Sequence, residues 1–347
     1  MASVIYLTDT RYGQRGWQHP SARHRCYHFA DALNAVGVRS AVMPVDRVTP
    51  AMVSGFDHAV FHRPQYSRRF ERAFKACIKS TVKVHADYDD LVFSADYASN
   101  SPLYLSGGRK LEQVKQQFNN TAKAAGRFGS FICSTRFLKQ KLEYHLPAET
   151  VSVLPNSLPR LFRSPARKKQ NMTPCVIGYF PGSRGHEQDF GLIRQAMIEL
   201  VNENTRLLIV GRWDRQASNA IPGVVNLPFA DYSQYLKLLS QVDVSVAPLE
   251  YNEFNQSKSA VKLIESVAVG TPVVATAIPD MVDHDNPLAT LVAHPDHWKQ
   301  SILSTIAKFD DQAYVVSQAN HLASRFSTNS RLGILYKHFG ISAGDGG

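Results

Sequence analysis

The stretch 252–277, NEFNQSKSAVKLIESVAVGTPVVATA, restricts the fold more than any other part of the chain. Val261, Ile264, Val267 and Ala268 recur at helical spacing and predict a helix over 257–269 with one apolar face. Ser257 suits the N-cap of such a helix, and Gly270 suits the position just past its end. The turn Gly270-Thr271-Pro272 leads at once into Val273-Val274-Ala275, a short β-branched run of the kind covered on both faces of a sheet. A helix that feeds directly into such a strand belongs to a parallel sheet layered with helices. The same helix carries chemistry. Lys258 and Lys262 lie four residues apart and Lys262 and Glu265 three apart, so the three share one edge. Two lysines at a helix N-terminus suit a diphosphate, and a carboxylate two turns further along suits the paired hydroxyls of a ribose. The plainer reading is a solvated face with one weak ion pair.

The rest of the chain repeats the strand–helix alternation. Strands are expected at 4–7, 40–44, 58–62, 82–85, 130–133 and 151–154, and again at 175–179, 206–210, 224–227, 242–247, 272–275 and 290–293. Helices are expected at 21–35, 66–80, 190–202 and 232–241. Between the two series lies LPRLFRSPARKKQNMT, a basic, proline-bearing segment that reads as a linker. At 347 residues the chain has room for two domains. The expected division is an N-terminal Rossmann-like domain over 1–160, a linker over 161–173, a C-terminal Rossmann-like domain over 174–325, and a C-terminal helix with a flexible tail over 326–347. Ligands of such sheets bind beyond the carboxyl ends of the strands, so the residues just after each strand matter most.

Composition narrows the class. No apolar run reaches the ~18 residues of a membrane span. The opening MASVIYLTDTRYG enters a strand without the layout of a signal peptide, which points to the cytoplasm. Cys26, Cys77, Cys133 and Cys175 are scattered, as expected for reduced thiols. Charge is uneven: residues 1–170 hold 26 Lys+Arg against 12 Asp+Glu, whereas 171–347 hold 13 against 17. A basic first half suits an anionic partner, whether nucleic acid, an acidic glycan or a bilayer surface.

In the second half, the strand at 175–179 runs into PGSRGHEQDF, where Gly182, Ser183 and Gly185 offer backbone to a phosphate, with Arg184 and His186 in reach. As pure turn chemistry the same loop needs no ligand. The strand ending at Val210 runs into Gly211-Arg212, and the strand ending at Ala247 runs into PLEYNEFNQSKSA, which holds Asn255, Ser257 and Lys258. Three loops thus converge on one side of the sheet. In the first half, Asp87, Asp89 and Asp90 follow an apolar strand. They could orient sugar hydroxyls or act in catalysis, cap the next turn, or hold a divalent metal. Arg63 follows the strand at 58–62, and the loop after the first strand carries Arg11, Arg15, Arg23 and His24, which form either an acceptor site or a solvated basic loop. In YSRRFERAFKACIKS, Tyr66, Phe70, Phe74 and Ile78 make one stripe and Arg68, Arg69, Arg72, Lys75 and Lys79 the opposite face. Such a stripe is usually core; the other possibility is docking on an anionic membrane.

In chain order, IGYFPGSRGHEQDF, LLIVGRWD, VNLPFADYSQYLKLLSQVDVSVAPLE and FNQSKSAVKLIESVAVGTPVVA resemble the C-terminal domain of GT-B glycosyltransferases, in particular retaining group 1 transferases of the GT4 type that build bacterial surface glycans. PSARHRCYHFADAL, VHADYDDLVF, FICSTRFLKQKL and VLPNSLPR resemble the same group more loosely. The resemblance implies an α/β fold with two Rossmann-like domains whose parallel sheets face across a cleft. It implies that Glu265 holds the nucleotide ribose and that Arg184 meets the diphosphate. The chain departs from the family in three places. Ser257 stands where a second glutamate is common, Glu187 stands near the place of a lysine, and Gly13 and Gly16 are separated where a Gly-Gly pair is usual.

The resulting expectation is transfer of a sugar from a nucleoside diphosphate sugar to a glycan or lipid-linked acceptor, in O-antigen or capsule synthesis. No metal and no other cofactor is expected. Donor contacts are assigned to Gly182, Ser183, Arg184, His186, Arg212, Asn255, Ser257, Lys258, Lys262 and Glu265. Acceptor contacts are assigned to Arg11, Arg23, His24 and Arg63, and catalytic roles to Asp87, Asp89 and Asp90. The protein is expected in the cytoplasm, with peripheral attachment at the inner face of the membrane. A nucleotide-sugar epimerase of the same architecture would consume donor without an acceptor, and a non-catalytic sugar-nucleotide or glycan binder would bind without turnover. Nucleic acid is not expected as a partner, because the positive charge comes without a nucleic-acid-binding motif.

Overall fold

The structure is a computed structural model that describes residues 2–9, 16–164, 174–182, 186–214, 221–309 and 311–341. Two six-stranded sheets account for the architecture. The first comprises β1 (Ser3–Thr8), β2 (Arg39–Pro44), β3 (His58–His62), β4 (Lys83–Tyr88), β5 (Ser130–Cys133) and β6 (Thr150–Val153). The second comprises β7 (Cys175–Tyr179), β8 (Thr205–Val210), β9 (Val225–Leu227), β10 (Val244–Ala247), β11 (Val273–Thr276) and β12 (Ala289–Val292). Their orders are β2-β1-β3-β4-β5-β6 and β12-β11-β10-β7-β8-β9, and every neighbouring pair is parallel. Strand order reverses between β1 and β3 in one sheet and between β7 and β10 in the other. These are the two places where such sheets open a crevice for ligands.

All twelve expected strands are present, and most differences are shifts of one or two residues at the ends. β4 differs more, since it continues through Asp87 to Tyr88. A carboxylate inside a sheet is tolerated because Asp87 lies opposite His62 of β3 and is also paired with Arg25. The helix expected over 257–269 is also different. It is split into Glu253–Gln256 and Val261–Ala268. Ser257 ends the first piece rather than capping the second, and the cap amide of the second, Ala260 N–H, donates to Asp280 at 2.7 Å. Gly270, at φ +76°, does take the left-handed position past the helix end. The basic helix runs Arg68–Lys79, capped by Ser67. Phe70 and Phe74 enter the first core with Tyr66 packed beside them, while Ile78 is 53% exposed.

Each sheet has apolar packing on both faces, as its β-branched strands require. One face of the first sheet is closed by the far end of the chain. Leu332, Leu335 and Phe339 of the helix Leu332–Phe339, with Ile341, pack against Val4, Tyr6, Leu33, Val60 and Ile132. At that contact three histidines form a chain. His58 Nδ1 lies 3.0 Å from His85 Nε2, His85 Nδ1 lies 3.0 Å from His338 Nε2, and His338 Nδ1 lies 2.7 Å from Ser152 Oγ. Phe339 packs against His58 with the rings tilted and their centroids 4.7 Å apart.

Burial first, and then neighbouring cationic groups, push His58 and His338 down to about 4 and His85 to about 2. The unfolded chain therefore takes up these protons first. The contribution of the chain of histidines is complete above the ordinary value of 6.5 and is lost as pH falls from there towards 4. Thermal denaturation between pH 7 and pH 4.5 should show a falling midpoint, and His338→Gln should fall less steeply over the same interval. Parallel curves for the two proteins would contradict the assignment.

Candidate active site

The helical run over 20–35 places the first-sheet side of the site. Its middle turn, Arg23–Tyr27, is π-helical, a distortion that often marks functional positions. That turn aims three consecutive side chains in different directions. Arg23 stacks over Tyr232 of the second half at 3.9 Å. His24 reaches Glu265, with Nε2 3.2 Å from Oε1, while its Nδ1 faces the Ser157 carbonyl at 3.2 Å. Arg25 turns inward and is fully buried. It donates to Asp87 through Nε at 3.0 Å and Nη2 at 2.6 Å, and through Nη1 to the Leu154 carbonyl and to Asn156 Oδ1 at 3.1 Å.

The three aspartates, expected to act together, divide into two groups. Asp87 has both oxygens taken by Arg25 and His62, so its carboxylate is neutralised inside the sheet. Burial opposes its ionisation, but Arg25 and His62 win and hold it below the usual carboxylate range. Asp89 and Asp90 grip Arg63, Asp89 through Nε and Asp90 through Nη2 at 2.9 Å. Arg63 has a left-handed backbone, φ 45°, which a side chain rarely adopts, and its N–H donates to the Asp87 carbonyl at 2.8 Å. Ser21 Oγ donates to Asp89 at 2.6 Å and also meets His62 Nε2 at 2.8 Å. Burial works against ionisation of both carboxyls. Arg63 overcomes it at Asp89, whose carboxyl sits well below its ordinary value, while burial leaves Asp90 raised.

On the second sheet, the loops after β7 and β10 meet at the strand-order reversal. Asp189, in the first turn of the helix Glu187–Leu200, joins them. Its Oδ2 holds His186 Nδ1 at 2.7 Å, and its Oδ1 accepts from Glu250 N at 2.8 Å and Asn255 Nδ2 at 3.1 Å. Gly211 brings the loop after β8 into the same group. Any Cβ there would sit 2.0 Å from the Pro181 carbonyl oxygen, so only glycine allows the approach. Lys258 and Lys262 complete this side. Among the described residues neither lysine makes an ion pair. Burial, then Lys258, lower Lys262 to about 8. Glu265 is buried, with Oε2 accepting from Tyr235 at 3.0 Å. Burial resists its ionisation, yet the His24 contact, Arg23 and Tyr235 together hold it below its ordinary value.

Several expected donor contacts have other work. Ser257 is fully buried, donates to the Phe254 carbonyl and accepts from Thr135 across the cleft at 3.2 Å, so it docks the halves together. Asn255 spends its amide on Asp189 and the Glu250 carbonyl. Arg212 is exposed beside Phe229, 5.7 Å from its ring, and Gly182 is exposed just after β7. Arg11, Arg15, Ser183 and Arg184 lie outside the described residues. The sequence reading did not single out Arg25, His62, Asp189 and Tyr235. Arg25 carried a signal, because it falls on the inward stripe with Phe29 and Leu33 at steps of four. Among the described residues no group of three or more His, Cys, Asp or Glu could hold a metal ion.

Comparison with known proteins places this arrangement in a class. Residues 176–308, which span most of the second sheet and its helices, match the family described as glycosyl transferases group 1. Over 188 residues the chain is 26% identical to TuaH of Bacillus subtilis, named a teichuronic acid biosynthesis glycosyltransferase; the match covers 49% of this chain and 46% of that relative, so the chain spans about half the length of the curated relative it matches. Anabaena HepE, solved in complex with UDP-glucose, superposes with a TM-score of 0.65 at 13% identity, covering 97% of this chain and 99% of that one. Sucrose-phosphate synthase from Thermosynechococcus elongatus superposes at 0.64 and 15% identity, covering 99% and 100%. The fold is therefore GT-B, with two parallel α/β sheets.

Removing Arg25 would leave the buried Asp87 carboxylate with His62 as its remaining side-chain partner inside the sheet. Arg25→Met should cost about 3–5 kcal/mol in urea unfolding. The double variant Arg25→Met/Asp87→Leu should recover most of that loss. A single variant within about 1 kcal/mol of the parent would show that the pair is not buried as described.

Proposed function

We propose that the protein is a GT4-like retaining glycosyltransferase that moves a sugar from a nucleoside diphosphate sugar to a glycan or lipid-linked acceptor in bacterial surface-polysaccharide synthesis. One observation carries the donor side. Lys258 and Lys262, unpaired among the described residues, lie with His186 at the strand-order reversal of the second sheet, beside the carboxylate Glu265. Two lysines without carboxylate partners favour a polyanion there. The diphosphate would lie against them and against the loop Gly182, Ser183, Arg184, and Glu265 would take the ribose hydroxyls. As the glycosidic bond breaks, its electron pair passes to the departing diphosphate, where the lysines stabilise the charge as it develops. No metal is assigned to this step.

The acceptor would approach from the first sheet. Asp89 and Asp90 fix Arg63 there, Arg11, Arg23 and His24 would add contacts from the first loop and the helical run over 20–35, and Lys258 lies close enough to Asp90 to offset part of the rise that burial causes. Asp87 would act only by holding Arg25 and His62. Because His24 occupies Glu265, the donor ribose would have to displace it, and domain opening would admit the nucleotide.

UDP, GDP, dTDP, CDP and CMP provide the test by thermal shift. A ligand at 100 times its dissociation constant stabilises by about 2.7 kcal/mol. One diphosphate should raise the melting temperature of the wild type and not of Glu265→Ala. No shift with any of the five would sink the donor assignment.

Attachment to the inner face of the membrane is supported by Arg68, Arg72, Lys75 and Lys79 on the outer face of one helix, beside the exposed apolar side chains of Met52 and Ile78. Arg72→Glu/Lys79→Glu should sediment with anionic vesicles several-fold less than the parent at low salt. Equal sedimentation, or none by either, would remove this part of the reading.

A further inference from the structure

The donor side contains a histidine and an aspartate whose geometry goes beyond binding. His186 is nearly enclosed and its ring is fixed at Nδ1 by Asp189. Asp189 is itself held by Glu250 N and Asn255 Nδ2, so it is a fixed anion rather than a mobile one. The other ring nitrogen, Nε2, has no partner among the described residues. Among the described residues, the charged groups facing the ring are Asp189 from its own helix, Lys258 from the turn before Val261–Ala268, and Lys262 from that helix; the Glu250 carboxylate lies beyond Asp189.

We propose, resting on the donor reading above, that His186 and Asp189 act as a proton-gathering pair for the diphosphate. As the diphosphate settles on Lys258 and Lys262, His186 Nε2 takes a proton from solvent and donates the new N–H to a phosphate oxygen. Asp189 is the positioning residue that keeps the imidazolium compensated.

The free protein opposes that proton. Burial first, and then Lys258, push His186 down to about 4, with Lys262 adding to the effect against Asp189. A bound diphosphate reverses the balance, because its negative charge cancels the two ammonium groups while Asp189 stays in place. The site would then meet the leaving group with one cation beyond the lysines and Arg184, and that one appears only when needed. A permanently charged arginine in place of His186 would repel both lysines in the empty site.

Histidine ring resonances test this. His186 is assigned by its loss in His186→Asn, and its titration is followed with and without UDP, or whichever diphosphate gives the largest shift in the thermal screen. The half-titration should move from about 4 in the free protein to roughly 6 or higher when saturated. Asp189→Asn should still show the nucleotide-induced thermal shift but lose most of the rise, a result that mere packing would not produce. A His186 that stays neutral at pH 5.5 with nucleotide bound overturns the proposal and leaves the donor site intact. Absence of any nucleotide-induced thermal shift overturns the donor reading and this inference with it. If Asp189→Asn does not fold, the wild-type titration decides alone.

Discussion

The buried pair of Arg25 and Asp87 is the contact on which the geometry of the cleft depends. One guanidinium joins β4 to the helical run over 20–35 and to the chain segment leaving the first sheet at Leu154 and Asn156. Asn156 passes the connection on, donating to Ser259 of the second half at 2.8 Å. Removal of two charges from water is costly and is recovered only when every donor finds an acceptor. Here Asp87 accepts from Arg25 and meets His62, and Arg25 has two further oxygens. Satisfaction of that kind fixes the π-helical turn, and the turn in turn aims Arg23 and His24 across the cleft.

Other contacts across the cleft are lighter. His24 meets Glu265, Arg23 covers Tyr232, Thr135 donates to the Ser257 carbonyl, and Lys141 pairs with Glu253. These are single polar or cation–ring contacts, each of modest strength. Phe254, from the second half, adds an apolar contact by packing into the first core. The loop after β4 faces the loop after β10 across the cleft, with Asp90 on one side and Lys258 on the other.

Much of the fold could be read from short local patterns. Strands such as His58–His62 and Ser130–Cys133 are bounded by turn residues and filled with apolar side chains, and nothing distant is needed to form them. The failures share one cause, a partner far away in sequence. β4 runs on through Asp87 only because Arg25, 62 residues earlier, neutralises it. Ser257 loses the capping position because Asp280, 20 residues beyond Ala260, takes that amide. Lys258, Lys262 and Glu265 were visible as a group, but the occupation of Glu265 by His24 was not, because it belongs to the other sheet. Asp189 was hidden for the same reason: a first-turn aspartate looks like ordinary helix chemistry until Glu250 and Asn255 are seen to close on it.

The return of the helix Leu332–Phe339 to the first sheet has a consequence for synthesis on the ribosome. Phe29 and Leu33 pack on the face formed by Val4, Tyr6, Val60 and Ile132, but the rest of its cover is missing until residues 332–341 have left the exit tunnel. From the completion of β6 at Val153 until then, that remaining part of the apolar surface is open, although all six strands are already made. The second domain can complete its own sheet in that interval, being contiguous over 175–292. The domain translated first is thus the one finished last, and a chaperone holding nascent chains would find its client surface on β1, β3 and β5.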